Sequence, residues 1–121
     1  MIETLDSLAA SFAAAGARTT DRGRGVTAGF VDRGASAAKA DALSSWSRYG
    51  RGEAGSAGTI RARMSRDRSE VVGWMLADGE GVFQAEHGTT SRAPDPVMAR
   101  AAWAQLDGWA DAMADMAADV L

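Results

Sequence analysis

Cysteine is missing from this sequence altogether, so neither a disulfide frame nor a thiolate metal site can hold it together. Histidine occurs once, at position 87, which leaves a catalytic imidazole without a second histidine or a thiol to work with. Proline occurs only at 94 and 96, so nearly the whole chain is open to helix. No apolar run approaches the ~20 residues of a membrane span. The first residues, MIETLDSLAASFAAAGA, lack the basic start and long apolar core of a secretion signal, and the chain reads as soluble and unexported. Bulky apolar side chains are scarce too. The 46% hydrophobic fraction is dominated by alanine, with four Trp, three Phe and six Met. Much of that fraction is expected to supply helix propensity rather than buried area. At 121 residues the chain is expected to form one domain with a modest core.

Charge is low overall and unevenly placed. A net charge of −3 argues against general affinity for nucleic acid. From Arg48 to Arg68, six arginines less Glu53 and Asp67 leave +4. From Asp95 to Leu121, five aspartates less Arg100 leave −4. The two segments are complementary in sign.

Residues 2–15 read as a short helix, with Ile2, Leu5, Leu8 and Phe12 on one stripe and Gly16 as its C-terminal cap. A second helix is expected over Thr19–Trp46, its face marked by Val26, Phe30, Ala37 and Leu43. Gly23, Gly25, Gly29 and Gly34 each weaken it by about 1 kcal/mol relative to alanine. Residues 47–58 (SRYGRGEAGSAG) read as a long loop, of the kind that is functional or disordered. Ile60, Ala62 and Met64 then alternate with Arg61, Arg63 and Ser65, which predicts a half-buried strand with a basic outer face. After a turn at 66–69, Glu70–Ala77 is expected as a second strand, with Val72, Trp74 and Leu76 inward and Gly73 opposite them. Residues 78–81 turn again, and 82–86 read as a short strand or a single helical turn.

The last helix, from Pro96 to about 118, has the clearest periodicity. Met98, Ala102, Leu106, Trp109, Met113, Met116 and Val120 form one apolar stripe. Asp107, Asp111, Asp115 and Asp119 form a separate acidic ridge. Like charges one turn apart repel mildly, and the last of them sit at the unfavourable end of the helix dipole. Solubility or a positive surface opposite would account for such a ridge. At its start, Asp95 suits an N-cap and Pro96 a first helical position.

Upstream of that helix lies the stretch on which the rest is organised. An apolar segment with Val82 and Phe83 leads to the His87-Gly88-Thr89-Thr90-Ser91 turn, then to Pro94-Asp95-Pro96 and the helix. The residues Phe83, Glu86, His87, Gly88, Thr89, Pro94, Pro96, Met98 and Ala101 resemble a motif of the head–tail joining, or tail-completion, neck proteins of long-tailed phages. The family more often has Tyr or Phe where His87 stands and an aromatic where Val97 stands. Ahead of its first strand it tends to carry Pro-x-Asp-Thr-Gly-x-Leu, where this chain has Ala57-Gly58-Thr59-Ile60. The likeness follows the layout of residues 20–121 and is motif-specific over 83–101. It implies that the helix over Thr19–Trp46 packs across the sheet. It also implies a virion protein, assembled in the host cytoplasm, that forms a ring of roughly six or twelve copies around the DNA channel.

Other residues invite chemistry and offer little. Glu86 beside His87 lacks a second partner for acid–base or metal work. Glu86 is expected to bond local backbone amides, and His87 to stand where the family has its aromatic. Arg22-Gly23-Arg24-Gly25 lacks the setting of a phosphate loop and reads as a solvated helix face. The aspartate ridge would need further ligands to order a cation. Ser56, Ser65 and Ser91 have no nucleophile elbow around them. No cofactor, metal or catalytic residue is assigned. The arginines Arg61, Arg63, Arg66 and Arg68 could touch DNA backbone, but the acidic total and lack of interleaved aromatics fit that poorly.

The preferred expectation is that this basic face meets Asp107, Asp111 and Asp115 of a neighbouring copy. Trp103 would anchor the contact, and Glu86, Gly88, Thr89, Pro94 and Pro96 would hold the motif turn. The fold class expected is α+β, with N-terminal helices and a long C-terminal helix on a small antiparallel sheet of two to four strands. The function expected is structural rather than enzymatic: a connector subunit joining phage head to tail. Its partners would be itself, other connector proteins and the tail-terminator proteins. DNA would pass through an acidic lumen, and no membrane is involved. The 47–58 loop and both termini would order on assembly. The alternatives are a tail terminator or minor tail component, a small DNA-binding regulator, and, least supported, a small hydrolase.

Overall fold

A computed structural model of the chain describes residues 5–46, 55–79 and 81–120. In chain order its elements are α1 (Leu5–Ser45), β1 (Arg61–Met64), β2 (Gly73–Leu76), α2 (Val82–His87) and α3 (Val97–Val120). The two long helices pack on each other and α1 lies across a two-stranded antiparallel sheet, an α+β architecture.

α1 is one helix, not the two expected at 2–15 and 19–46. Gly16 does not cap it. A C-cap glycine turns left-handed, and the glycines with positive φ among the described residues are Gly79, Gly81 and Gly88. No proline interrupts this stretch, and the hydroxyls of Thr19 and Thr20 bond back to the carbonyls of Ala15 and Gly16 within the helix. Of the loop expected over 47–58, residues 47–54 lie outside the described residues, and 55–57 form a helical turn.

The face that α1 buries is also not the expected one. Ala37 and Leu43 are exposed, and Val26 and Phe30 only half-buried. The buried positions are the small ones: Gly23, Thr27, Gly34, Ala35, Ala38 and Ala42, followed by Trp46. A Cβ added at Gly34 would lie 3.0 Å from Met75 Sδ and 3.8 Å from the Ala101 carbonyl oxygen. Small residues let α3 and the sheet approach closely. The glycine therefore serves packing as well as weakening the helix. Trp109, on α3, donates its indole N–H to the Thr27 hydroxyl at 2.9 Å and fixes the two helices in register.

β1 and β2 pair Arg61 with Leu76, Ala62 with Met75, Arg63 with Trp74 and Met64 with Gly73. Directly opposed residues share a face. Gly73 and Met75, not Val72, Trp74 and Leu76, point at α1. A Cβ at Gly73 would sit 2.8 Å from Val31 Cγ2 and 2.9 Å from Met64 Sδ, so the helix is too near for any larger residue. Trp74 is consequently 43% exposed.

The fully packed core gathers where the C-terminal end of α1 meets the start of α3. Ala35, Ala38, Ala42, Trp46, Ala57, Ile60, Ala85, Val97 and Ala101 are all buried there. Six of the nine are alanine, contrary to the expectation that alanine would serve mainly propensity. Trp46 and Val97 are the largest fully buried side chains. On α3 the buried edge is therefore Val97 and Ala101. The expected stripe of Met98, Ala102, Leu106 and Trp109 runs beside it and is only partly covered, with Ala102 and Leu106 exposed.

Candidate functional site

The Gly-Thr turn and the proline pair form one hydrogen-bonded unit. Residues 82–87 are helical, so Glu86 and His87 are not extended neighbours, and the His87 ring lies 4.5 Å from that of Phe83, one turn back. Gly88 ends α2 with φ +77, and its N–H donates to the Gln84 carbonyl at 2.7 Å. A Cβ there would fall 2.7 Å from Pro94 N and 2.8 Å from the Arg92 carbonyl oxygen, so only glycine fits. Thr89 N–H donates to the Arg92 carbonyl at 2.9 Å, and Asp95 N–H returns to the Ala85 carbonyl at 2.8 Å. The chain thereby doubles back on α2 before α3 begins.

The cap of α3 comes from an unexpected residue. The Asp95 carboxylate, expected as the N-cap, is held by Arg100. One oxygen accepts from Arg100 at 2.8 Å, and the same guanidinium donates to Asp41 of α1 at 2.9 Å. Asp41, and then Asp95, stabilise the Arg100 cation and push its pKa further up. Glu86 instead reaches across from α2, and its Oε1 accepts the Met98 N–H at 2.5 Å. That amide is one of the orphan donors of a helix start, and a carboxylate there also complements the dipole. Pro96 precedes the first helical residue, and its carbonyl takes the first i+4 bond, from Arg100 N–H at 2.9 Å.

The charged residues expected at an interface divide. Arg63, Arg66 and Arg68 are exposed, and Arg61 pairs with Asp78 at 2.8 Å. Asp107, Asp111 and Asp115 are exposed on α3, whereas Asp119 is joined to Arg22 at 2.9 Å. Among the described residues no ion pair links the four arginines to that ridge. Trp103 stands alone on α3, 72% exposed. Arg24, expected on a solvated face, instead donates to the carbonyls of Ser65, Asp67 and Glu70 at 2.6–2.9 Å and pins the β1–β2 turn to α1. Within that turn, the Ser69 hydroxyl and then its amide hold the Asp67 carboxyl below the ordinary carboxylate range.

The sheet's outer face and its free edge are what the sequence reading missed. Across from Arg61 and Arg63 stand Leu76 and Trp74, so the basic face carries an aromatic after all. Beside it, an apolar groove of about 600 Å³ runs between the free edge of β2 and α3. Phe30 and Val31 of α1, Val72 just before β2, Trp74 of β2, and Ala102 and Leu106 of α3 line it, and no charged residue does. The signal was present in Gly73: glycine inside a strand marks a close backbone approach, which would have turned its neighbours outward.

Among the described residues no three His, Asp or Glu side chains come together as a metal site. No helix there is long and apolar enough to cross a membrane. What the surface offers is apolar area, two opposed charge sets and an open strand edge, the attributes of a binding surface. Comparison with protein-family models, with curated proteins and with solved structures finds nothing that matches this chain.

Proposed function

We propose that this chain is a structural subunit of a phage head-to-tail connector, assembling as a ring of identical copies around the DNA channel. The observation that carries the reading is apolar surface left exposed among the described residues: Val72, Trp74 and Leu106 line an open apolar groove, and Trp103 is exposed on α3. Large uncovered apolar patches on a small domain are used in association. Support also comes from the motif residues Glu86, Gly88, Thr89, Pro94 and Pro96, which lie in the segment that ends α2 and sets the start of α3. A unit that rigid presents α3 at a fixed angle, as a ring subunit requires.

In this reading the exposed arginines of one copy face Asp107, Asp111 and Asp115 of the next, a contact between unlike surfaces that closes when the rotation allows. The test is the native mass of the purified chain and of the Asp111→Lys, Asp115→Lys variant. The wild type should be a closed oligomer, and the variant a folded protein of smaller mass. A wild type that stays monomeric at every concentration rejects the ring. Other connector and tail proteins would be the further partners, and a tail terminator or minor tail component is the nearest alternative.

One observation favours a second reading. Trp74 opposite Arg63 puts an aromatic between exposed cations, a combination suited to nucleic acid. A DNA-binding regulator would show an affinity for duplex DNA that falls steeply with salt. A flat, weak response removes it.

A further inference from the structure

The sheet is too narrow for the helices beneath it. α1 packs against both strands and also against α3, so the helix layer is two helices wide. Packed helices lie about 8–10 Å apart and neighbouring strands about 4.8 Å, so such a layer has room for about four strands. Among the described residues the sheet has two, and β2 is its edge toward α3. The groove between β2 and α3 is the place of the next strand.

The edge itself is suited to one. Ser65 N–H donates to the Val72 carbonyl at 2.9 Å, and the register from there makes Arg63 with Trp74 and Arg61 with Leu76 the other directly bonded pairs. Bonded and non-bonded pairs alternate in an antiparallel ladder, so Gly73 and Met75 turn their N–H and C=O groups away from β1. Both residues line the groove. An exposed edge is usually guarded by proline or charge, and Gly73-Trp74-Met75-Leu76 has neither. On the far side Ala99, Ala102 and Leu106 of α3 are exposed along the groove and form an apolar bed. Backbone groups on one wall and apolar side chains on the other are satisfied together by an extended chain, whereas a helix keeps its backbone bonds to itself.

Charge sets the outer side of the occupant. No charged residue lines the groove, but the outer face of the sheet carries Arg63, with Arg66 and Arg68 on the turn beyond it. Among the described residues no ion pair engages these three. Side chains alternate along a strand, so those facing α3 would be apolar and those between them acidic. The groove runs along α3 from Met98 to Trp109, roughly 17 Å, the length of about five extended residues. A second copy cannot supply β1 or β2 for it. Its own α1 covers the inner face of both, the side on which α3 would have to stand.

We infer that β2 accepts a third strand from another protein: an extended segment, apolar at every second position and acidic between, laid over α3. Its backbone would bond to Gly73 and Met75. The inference goes beyond the proposed function and does not depend on it, since a ring neighbour and a strand donor are different chains.

The test adds the peptide Glu-Val-Glu-Val-Glu-Val-Glu, blocked at both ends, to the full chain, beside the same peptide with Lys for Glu. Hydrogen exchange of the Gly73 and Met75 amides is read by NMR. The acidic peptide at saturation should slow both amides at least about tenfold. The lysine peptide should bind at least about tenfold more weakly. Ala102→Asp with Leu106→Asp, at two exposed positions, spoils the bed and should abolish the protection, with circular dichroism showing that the variant is folded. Absence of protection in the wild type with the acidic peptide, or shifts confined to α3, overturns the added strand. Equal binding of the two peptides overturns the acidic assignment. Protection that appears in the chain alone and grows with its concentration makes the occupant a second copy and overturns the separate donor. Native mass decides the ring independently of all three.

Discussion

The two ends of α1 are written in the same small residues and behave oppositely. Residues 23–46 present glycine, threonine and alanine to α3 and the sheet, and close on Trp46 in the core. Toward the other end, Ser7, Ala9, Ala10, Ser11, Ala13, Ala14, Gly16 and Ala17 are exposed. Composition does not separate them. What separates them is the element that stands opposite: α3 and β2 for one, none of the described elements for the other. A small-residue helix thus becomes core only where a second surface is near enough to exploit its thinness.

Substitutions can break this contrast at either end. Trp46→Ala should have the largest effect. Its side chain is fully buried and its indole N–H donates to the Asp95 carbonyl at 3.3 Å, so truncation should cost about 3–5 kcal/mol in denaturant unfolding. A loss that size is a large share of a small domain's stability. Gly34→Val comes next. The added Cβ would start 3.0 Å from Met75 Sδ and the branch would meet α3, so overpacking should cost about 1–3 kcal/mol.

Glu86→Ala sharpens the comparison by loosening the helix that covers the inner end of α1. Losing the bond to Met98 N–H should cost about 1 kcal/mol, and the exchange protection of the first α3 amides should fall before that of its middle. Smallest, and opposite in sign, is Gly16→Ala. With nothing for the new methyl to strike, it should stabilise the helix by about 0.5–1 kcal/mol. A destabilising Gly16→Ala in the monomeric chain would show that the N-terminal end of α1 is packed at this position, and the contrast would fail.

The helices at both ends and the two-stranded segment between them were legible because their signals are local. Lack of proline before position 94 and the periodic apolar residues of 98–113 are enough for helix, and the alternation of 60–65 is enough for a strand. The turn at Gly88 was legible for the same reason. Less was legible where a choice between faces was needed. Alternation in β2 gave two candidate faces of nearly equal hydrophobicity, and the larger residues were assigned inward. Gly73 decided otherwise, since Val31 leaves no room for a side chain. The bond from Glu86 to Met98 N–H was not legible either, since it joins residues twelve apart and depends on how α2 packs beside the start of α3.

By itself the sequence determined where helix and strand can form, where the chain must turn, and how charge is divided along it. Each of these is settled within a few residues, by backbone freedom, side-chain spacing and hydrogen bonds close to home. Only the tertiary structure decided which face of α1 is buried, which side of the sheet looks outward, and that an uncharged groove opens between β2 and α3. An alanine- and glycine-rich helix is thin on every side and prefers none. Its buried face is fixed by distance to whatever packs against it, which is a property of the assembled chain.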